Sequence, residues 1–163
     1  MLRGARFSPC KTWRYSLTRE WLTGEGKQVL VMLNPSKADD QRDDATTTLM
    51  VHRAQRDLFN RYEAVNLFAL VDTDPKSLKR HFHPVGPDND AAIMAAVEDA
   101  DRIIVAWGNG GQYRDRAKEV LRLLGVRPLW CFGTTKLGEP KFPRALPRWL
   151  PLEPYHCPEA EYV

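Results

Sequence analysis

The sequence predicts an α/β fold of three layers, built on a mostly parallel four-stranded sheet with an antiparallel N-terminal strand at its edge. Three observations predict it. Short apolar runs alternate along the chain with segments of helical spacing, the pattern that right-handed crossovers turn into a sheet covered on both faces. Each run breaks off at Asn, Asp or Gly, so polar loops collect at strand ends. The 163 residues, 43% hydrophobic and 28% charged, suit a single domain spanning 1–163 with a core that stands without staples.

Taken in order, Thr12 to Leu22 alternates through Trp13, Tyr15 and Leu17 as a half-buried strand does, and Thr23-Gly24-Glu25-Gly26 turns the chain. Gln28 to Leu33 is a buried strand, expected to pair with the first as an antiparallel hairpin. Thr46 to Phe59 carries Leu49, Met50, Ala54 and Leu58 at helical spacing, with Asp44 as cap and Asn60 as stop. Glu63 to Leu70 is the next strand, and Asp72-Thr73-Asp74-Pro75 opens a short basic helix to Arg80. Asp88 or Asn89 caps a helix running to about Ala100, with Ile93, Ala96 and Val97 inward. Arg102 to Trp107 is a third buried strand, followed by a helix from about Tyr113 to Leu124. Pro128 to Phe132 completes the sheet, and from about Gly133 the chain becomes an irregular, proline-punctuated basic segment.

Charge and cysteine usage narrow the function classes. A net charge of +3 permits a nucleic-acid or phosphate partner without demanding one. Cys10, Cys131 and Cys157 are odd in number and widely spaced, so neither a disulfide framework nor a zinc site is expected, and a reducing cytoplasm is. No segment approaches the roughly 20 apolar residues of a membrane span, and residues 1–17 lack the apolar stretch of a signal peptide. His52, His81, His83 and His156 show no metal-ligand spacing, and no Ser sits in a G-x-S-x-G elbow. Neither a metal nor a cofactor is expected.

Four loops would lie at the carboxyl ends of the parallel strands: 34–44, 70–74, 108–111 and 133–143. Ligands of open α/β sheets bind there, so distant polar residues should converge. Asn34 ends its strand with a carboxamide that can donate and accept, suited to an amide or a base edge; the alternative is a plain Asn-Pro turn with Pro35 and Ser36. Asp39, Asp43 and Asp44, with Asp40, can supply a general base or oxygen ligands for Mg²⁺, or can simply cap the next helix and face water. Asn66 lies inside the apolar run Val65-Asn66-Leu67-Phe68, where an unpaired carboxamide is costly; it needs either a structural partner or a ligand.

Trp107, Gly108, Asn109, Gly110 and Gly111 bring backbone amides to the start of a helix as a phosphate cradle would, though the pattern is neither G-x-G-x-x-G nor a P-loop. Trp107 either packs or stacks. Lys76, Lys79, Arg80, His81 and His83 form one basic stretch and Lys136, Lys141, Arg144 and Arg148 another; both flank the expected crevice, as phosphate contacts would.

Several of these residues occur together as Asn34-Pro35-Ser36-x-Ala38-Asp39, Asp43-Asp44-x-Thr46, Val65 to Leu70 with Thr73-Asp74-Pro75, Pro84-Val85-Gly86-Pro87-x-Asn89-Asp90, and Ala106-Trp107-Gly108. Over about Tyr15 to Pro147 the chain resembles an uncharacterised bacterial and phage family, a domain of unknown function. The order of its loops is also similar, more distantly, to the uracil-DNA glycosylase superfamily. That resemblance implies DNA or a nucleotide as partner and hydrolysis of an N-glycosidic bond. It places water activation on Asn34 and the 39–44 loop, base reading on Asn66 beside Phe68, and DNA grip on 138–144, with Lys136 nearby. One departure stands out: where the glycosylases carry a His-Pro pair, this chain has Phe142-Pro143, leaving Phe142 to stack or wedge against bases. A binding module without turnover and a Mg²⁺-dependent nuclease are the competing readings.

Overall fold

A computed structural model describes residues 1–157. Its strands are β1 (Leu2–Phe7), β2 (Arg14–Glu20), β3 (Lys27–Met32), β4 (Arg61–Asn66), β5 (Arg102–Val105), β6 (Trp130–Cys131) and β7 (Glu153–Pro154). The helices are α1 (Ala45–Arg56), α2 (Asn89–Glu98) and α3 (Arg116–Leu124), with short 3₁₀ turns at Pro75–Lys79, Asn109–Asp115 and Pro143–Ala145. All seven strands form one mixed sheet in the order β1-β2-β4-β3-β5-β6-β7.

The centre of that sheet is β3, every residue of which is buried. Because side chains alternate along a strand, β3 feeds two cores at once. Leu30 and Met32 pack with Met50, Val51 and Ala54 of α1 on one face. Val29 and Val31 pack with Ile93 and Val97 of α2 and with Val120 and Leu124 of α3 on the other. The expected α/β class and three layers are therefore present, and β4-β3-β5-β6 are the four parallel strands.

The sheet is wider than expected and its antiparallel part is wired differently. β2 pairs with β4 and not with β3, so the expected hairpin does not form. Its turn is fastened elsewhere: Glu25 donates to Leu58 O, and Asn60 and Arg61 donate to Gly26 O, which docks the turn at the α1–β4 corner. The place beside β3 then goes to β4, in register from Lys27↔Arg61 to Met32↔Asn66. Nor is β2 an edge, since β1 pairs outside it, and β7 adds a strand beyond β6.

The alternation expected through Trp13, Tyr15 and Leu17 is also broken. Arg6 faces Ser16 while Phe7 faces Arg14, leaving Tyr15 as an extra residue, a β-bulge. Leu17 consequently joins the α1-side core, whereas Tyr15 packs with Ala69 and Ala92. β4 ends at Asn66, four residues before the predicted Leu70: Leu67 N and Phe68 N still donate to Met32 O and Leu33 O, and then the chain exchanges partners, Ala69 N donating to Val85 O and Leu70 N to Pro84 O. Asp44 does cap α1, accepting from Thr47 N at 2.8 Å.

Candidate functional site

From β3 the chain crosses by α1 to β4 on one side, then returns by α2 to β5 on the other. The strand order therefore reverses between β3 and β5, and a crevice opens outside the strand ends at such a switch point. A crevice of about 600 Å³ lies there. The exit from β3 supplies Asn34, Pro35, Ser36 and Lys37; the start of α1 supplies Asp44, Thr46 and Thr47; the loop after β4 supplies Asp72 and Thr73. Trp107 comes from the end of β5, Phe142 and Arg144 from the segment after β6, and Arg14 from β2.

Asn34 is held by its amide nitrogen, which donates to Asp72 O at 2.9 Å and Pro35 O at 3.3 Å. Both bonds use Nδ2 and leave Oδ1 out of this clasp. Asp72 N in turn donates to Pro35 O, locking the exits of β3 and β4 together. The backbone amide of Asp74 first, and then the Ser77 side chain, hold the Asp72 carboxyl below the usual range. Trp107 is 2% exposed and donates Nε1 to Glu139 at 2.6 Å, so it forms a fixed wall. Phe142 is 39% exposed at the mouth.

The acidic loop does not act as one group. Asp43 accepts from Arg19 Nε at 2.8 Å and pairs with Arg3 at 3.0 Å, away from the crevice. Asp39 accepts from the amides of Gln41 and Arg42, both at 2.8 Å, and these bonds hold its carboxyl below the usual range. Asp44 alone of the four lines the crevice, its Oδ1 serving the helix cap. Among the described residues no three His, Cys, Asp or Glu side chains come together as a metal site needs.

Seven further residues singled out from the sequence lie outside the crevice lining. Phe68 is fully buried against Tyr113, ring centroids 5.8 Å apart. Gly108 donates its amide to Pro140 O at 2.7 Å, which occupies one of the expected cradle donors. The glycines beside it answer to packing: a Cβ on Gly110 would stand 2.7 Å from Leu33, and one on Gly111 only 2.3 Å from the Trp107 ring. Asn109 accepts from Thr135 Oγ1 at 2.6 Å, and Lys136 is exposed. Asn66 is 1% exposed, and neither carboxamide atom has a partner among the described residues. Strand alternation puts its side chain on the α1 face with Ala64 and Tyr62, the face on which Met32 and Arg14 reach the crevice.

Arg14 is the residue that sequence reasoning missed. In a regular strand it would oppose Leu17; the bulge at Tyr15 turns it to the same face as Leu17 and Arg19. A larger depression, about 860 Å³, lies between α3 and the start of β6, bounded by Pro154 to Cys157. It is remote from the strand carboxyl ends and gathers none of the residues above.

A family model described as "Protein of unknown function (DUF1643)" matches residues 14–144. The chain belongs to that family. The matched segment runs from Arg14 to Arg144, so every residue of the crevice lies within DUF1643. No curated protein and no solved structure matches the chain. Among the described residues no helix is long and apolar enough to cross a membrane.

Proposed function

We propose that the crevice at the β3/β5 switch point receives a nucleobase and that the protein hydrolyses its N-glycosidic bond, in the manner of the uracil-DNA glycosylases that the sequence distantly resembles. The supporting observation is that one concave site gathers Asn34, Asp44, Trp107 and Phe142 from four separate segments. In this reading Asn34 Oδ1 accepts from the base edge, Trp107 forms a wall, and Phe142 stacks at the mouth. Asp44, with one oxygen on the helix cap, uses the other to orient water toward the sugar carbon. The water oxygen bonds to that carbon, its proton passes to Asp44, and the carbon–nitrogen pair departs with the base. None of the four histidines lines the crevice, so no imidazole assists departure, which favours modified bases that leave readily.

Incubation of the pure protein with DNA carrying uracil, hydroxymethyluracil or hypoxanthine, followed by alkali cleavage, tests this. Strand breaks that vanish in Asp44→Asn are expected; an intact panel would sink the reading. The absent imidazole favours one competitor, a module that binds a nucleotide or nucleic acid without turnover, for which binding survives Asp44→Asn. The separate engagement of Asp39, Asp43 and Asp44 speaks against the shared ligand set of a Mg²⁺ nuclease reading.

A further inference from the structure

Four arginines are buried among the described residues: Arg14, Arg19, Arg53 and Arg116. The three besides Arg14 are engaged within the chain. Arg19 pairs with Asp43, and Arg116 with Asp90 and Glu119. Arg53 donates to Arg148 O and Leu150 O and lies over the Phe132 ring. Arg53 shares with Arg14 a buried Nε without a partner and the lack of an ion pair among the described residues, but it has two carbonyls and a ring, and of the four only Arg14 lines the crevice. Arg14 is 2% exposed, makes no ion pair with a described residue, donates Nη1 to Ala38 O, and has a buried Nε without a partner. A buried cation without a hydrogen-bonded counter-ion is expensive; Asp44 and Asp39 favour the charge of Arg14 only from beyond ion-pair distance, and this arginine lines a cavity.

Its surroundings extend the pattern. Tyr62, on the same face, has a fully buried hydroxyl without a partner, as has the Asn66 carboxamide. Lys37 and Arg144, both exposed, add two cations to the crevice wall, against the carboxylates of Asp44 and Asp72, each already accepting backbone amides. The N-terminal turn of α1 opens onto the same space through Thr46 and Thr47, and its dipole favours an anion.

We propose that the crevice binds a ligand carrying a terminal phosphate, seated against Arg14 with Lys37 and Arg144 at the mouth. Three cations suit the dianion of a phosphate monoester, and the planar guanidinium matches its oxygens. A backbone diester, with chain leaving on both sides of phosphorus, does not reach so buried a residue. The ligand class is therefore a free nucleotide or a phosphorylated strand end, an inference that rests on the nucleobase reading only for the part beyond the phosphate.

Calorimetric titration with deoxyuridine 5′-monophosphate, deoxyuridine and inorganic phosphate tests it. The monophosphate should bind at least about tenfold tighter than the nucleoside, the scale of one charge-assisted contact. Arg14→Gln should erase that advantage. If this variant does not fold, the surface double change Lys37→Ala with Arg144→Ala decides, through a several-fold weaker and less salt-dependent monophosphate affinity. Equal binding of monophosphate and nucleoside, or an unaltered double variant, overturns the proposal. A 5′-phosphorylated oligonucleotide that competes while its unphosphorylated form does not assigns the phosphate to a strand end; the reverse order of competition overturns the seat. Phosphate preference without base release keeps the seat and removes the hydrolysis, whereas base release indifferent to phosphate does the opposite.

Discussion

Replacing Asp43 and Asp44 separately by Asn should divide two adjacent carboxylates into a structural and a chemical one. Asp43 answers Arg19, whose side chain is wholly buried, at 2.7–2.8 Å, and also Arg3. Removing one partner of a buried pair costs about 3–5 kcal/mol because the other charge is stranded. Arg19 retains the carbonyls of Thr18 and Asp39, at 2.7 and 2.6 Å, which points to the lower end, about 3 kcal/mol. For a chain of 163 residues, at about 2–4 °C per kcal/mol, the melting temperature should fall by about 6–12 °C. Asp44→Asn keeps a competent N-cap, so its stability should stay within about 0.5 kcal/mol of the parent while base release is lost. Thermal and urea unfolding of both variants beside the alkali-cleavage assay provide the readouts. An Asp43→Asn protein that melts with the parent would refute the structural assignment, and an active Asp44→Asn protein the chemical one.

The orphaned carboxamide of Asn66 implies that Asn66→Leu, measured by urea unfolding without ligand, should be neutral or stabilising by up to about 1–3 kcal/mol. A marked loss would mean the amide has partners after all. Gly111→Ala places a Cβ 2.3 Å from the buried Trp107 ring and should cost about 1–3 kcal/mol; unchanged unfolding would contradict that packing. Hydrogen bonds shared with Ser8, then Thr12, bring the exposed Cys10 thiol down to about 7, so iodoacetamide should label it half-maximally near pH 7. Cys131, whose thiol burial pushes up, should react only after unfolding, and equal rates would refute the contrast. The hydrogen bond from Lys27, aided by Arg61, lowers the Asp99 carboxyl below its ordinary 3.8, so the unfolded chain takes the proton first as pH falls. Stability should be flat from neutral pH to about 5 and decline below about 4; a urea midpoint indifferent to acid would count against it.

The parts legible in the sequence are those decided locally. α1 could be read from Leu49, Met50 and Ala54 with Asp44 before them, because spacing and cap chemistry both lie within one segment, although the helix stops at Arg56 and not Phe59 and leaves Leu58 exposed with a left-handed backbone. The buried run of β3 and its break at Asn34 gave the position of the crevice for the same reason. Partners far apart in the chain left no such trace. Nothing local says that Asp43 belongs to Arg19, 24 positions earlier, or that β4 rather than β2 lies beside β3. The glycines at 110 and 111 looked like a phosphate cradle, yet their smallness answers to Leu33 and Trp107. The two-residue strand β7, which no reading of the sequence offered, is defined by its pairing with β6, beyond the reach of periodicity.

One extra residue links the N-terminal strands to the proposed chemistry. Without the bulge at Tyr15, side-chain alternation would carry Arg14 to the α2 side of the sheet, away from Ala38, Asp44 and the crevice. With it, the same strand sends Leu17 into the α1-side core, holds the acidic loop by Arg19, and presents Arg14 beneath that loop. β2 thus sets both the shape of the loop and the charge of the crevice floor. The DUF1643 match starts at Arg14 and leaves out β1, β7 and the Pro154–Cys157 wall of the larger depression. A ligand common to the family must be held by residues inside the matched segment, and the crevice between Arg14 and Arg144 meets that condition whereas the larger depression does not.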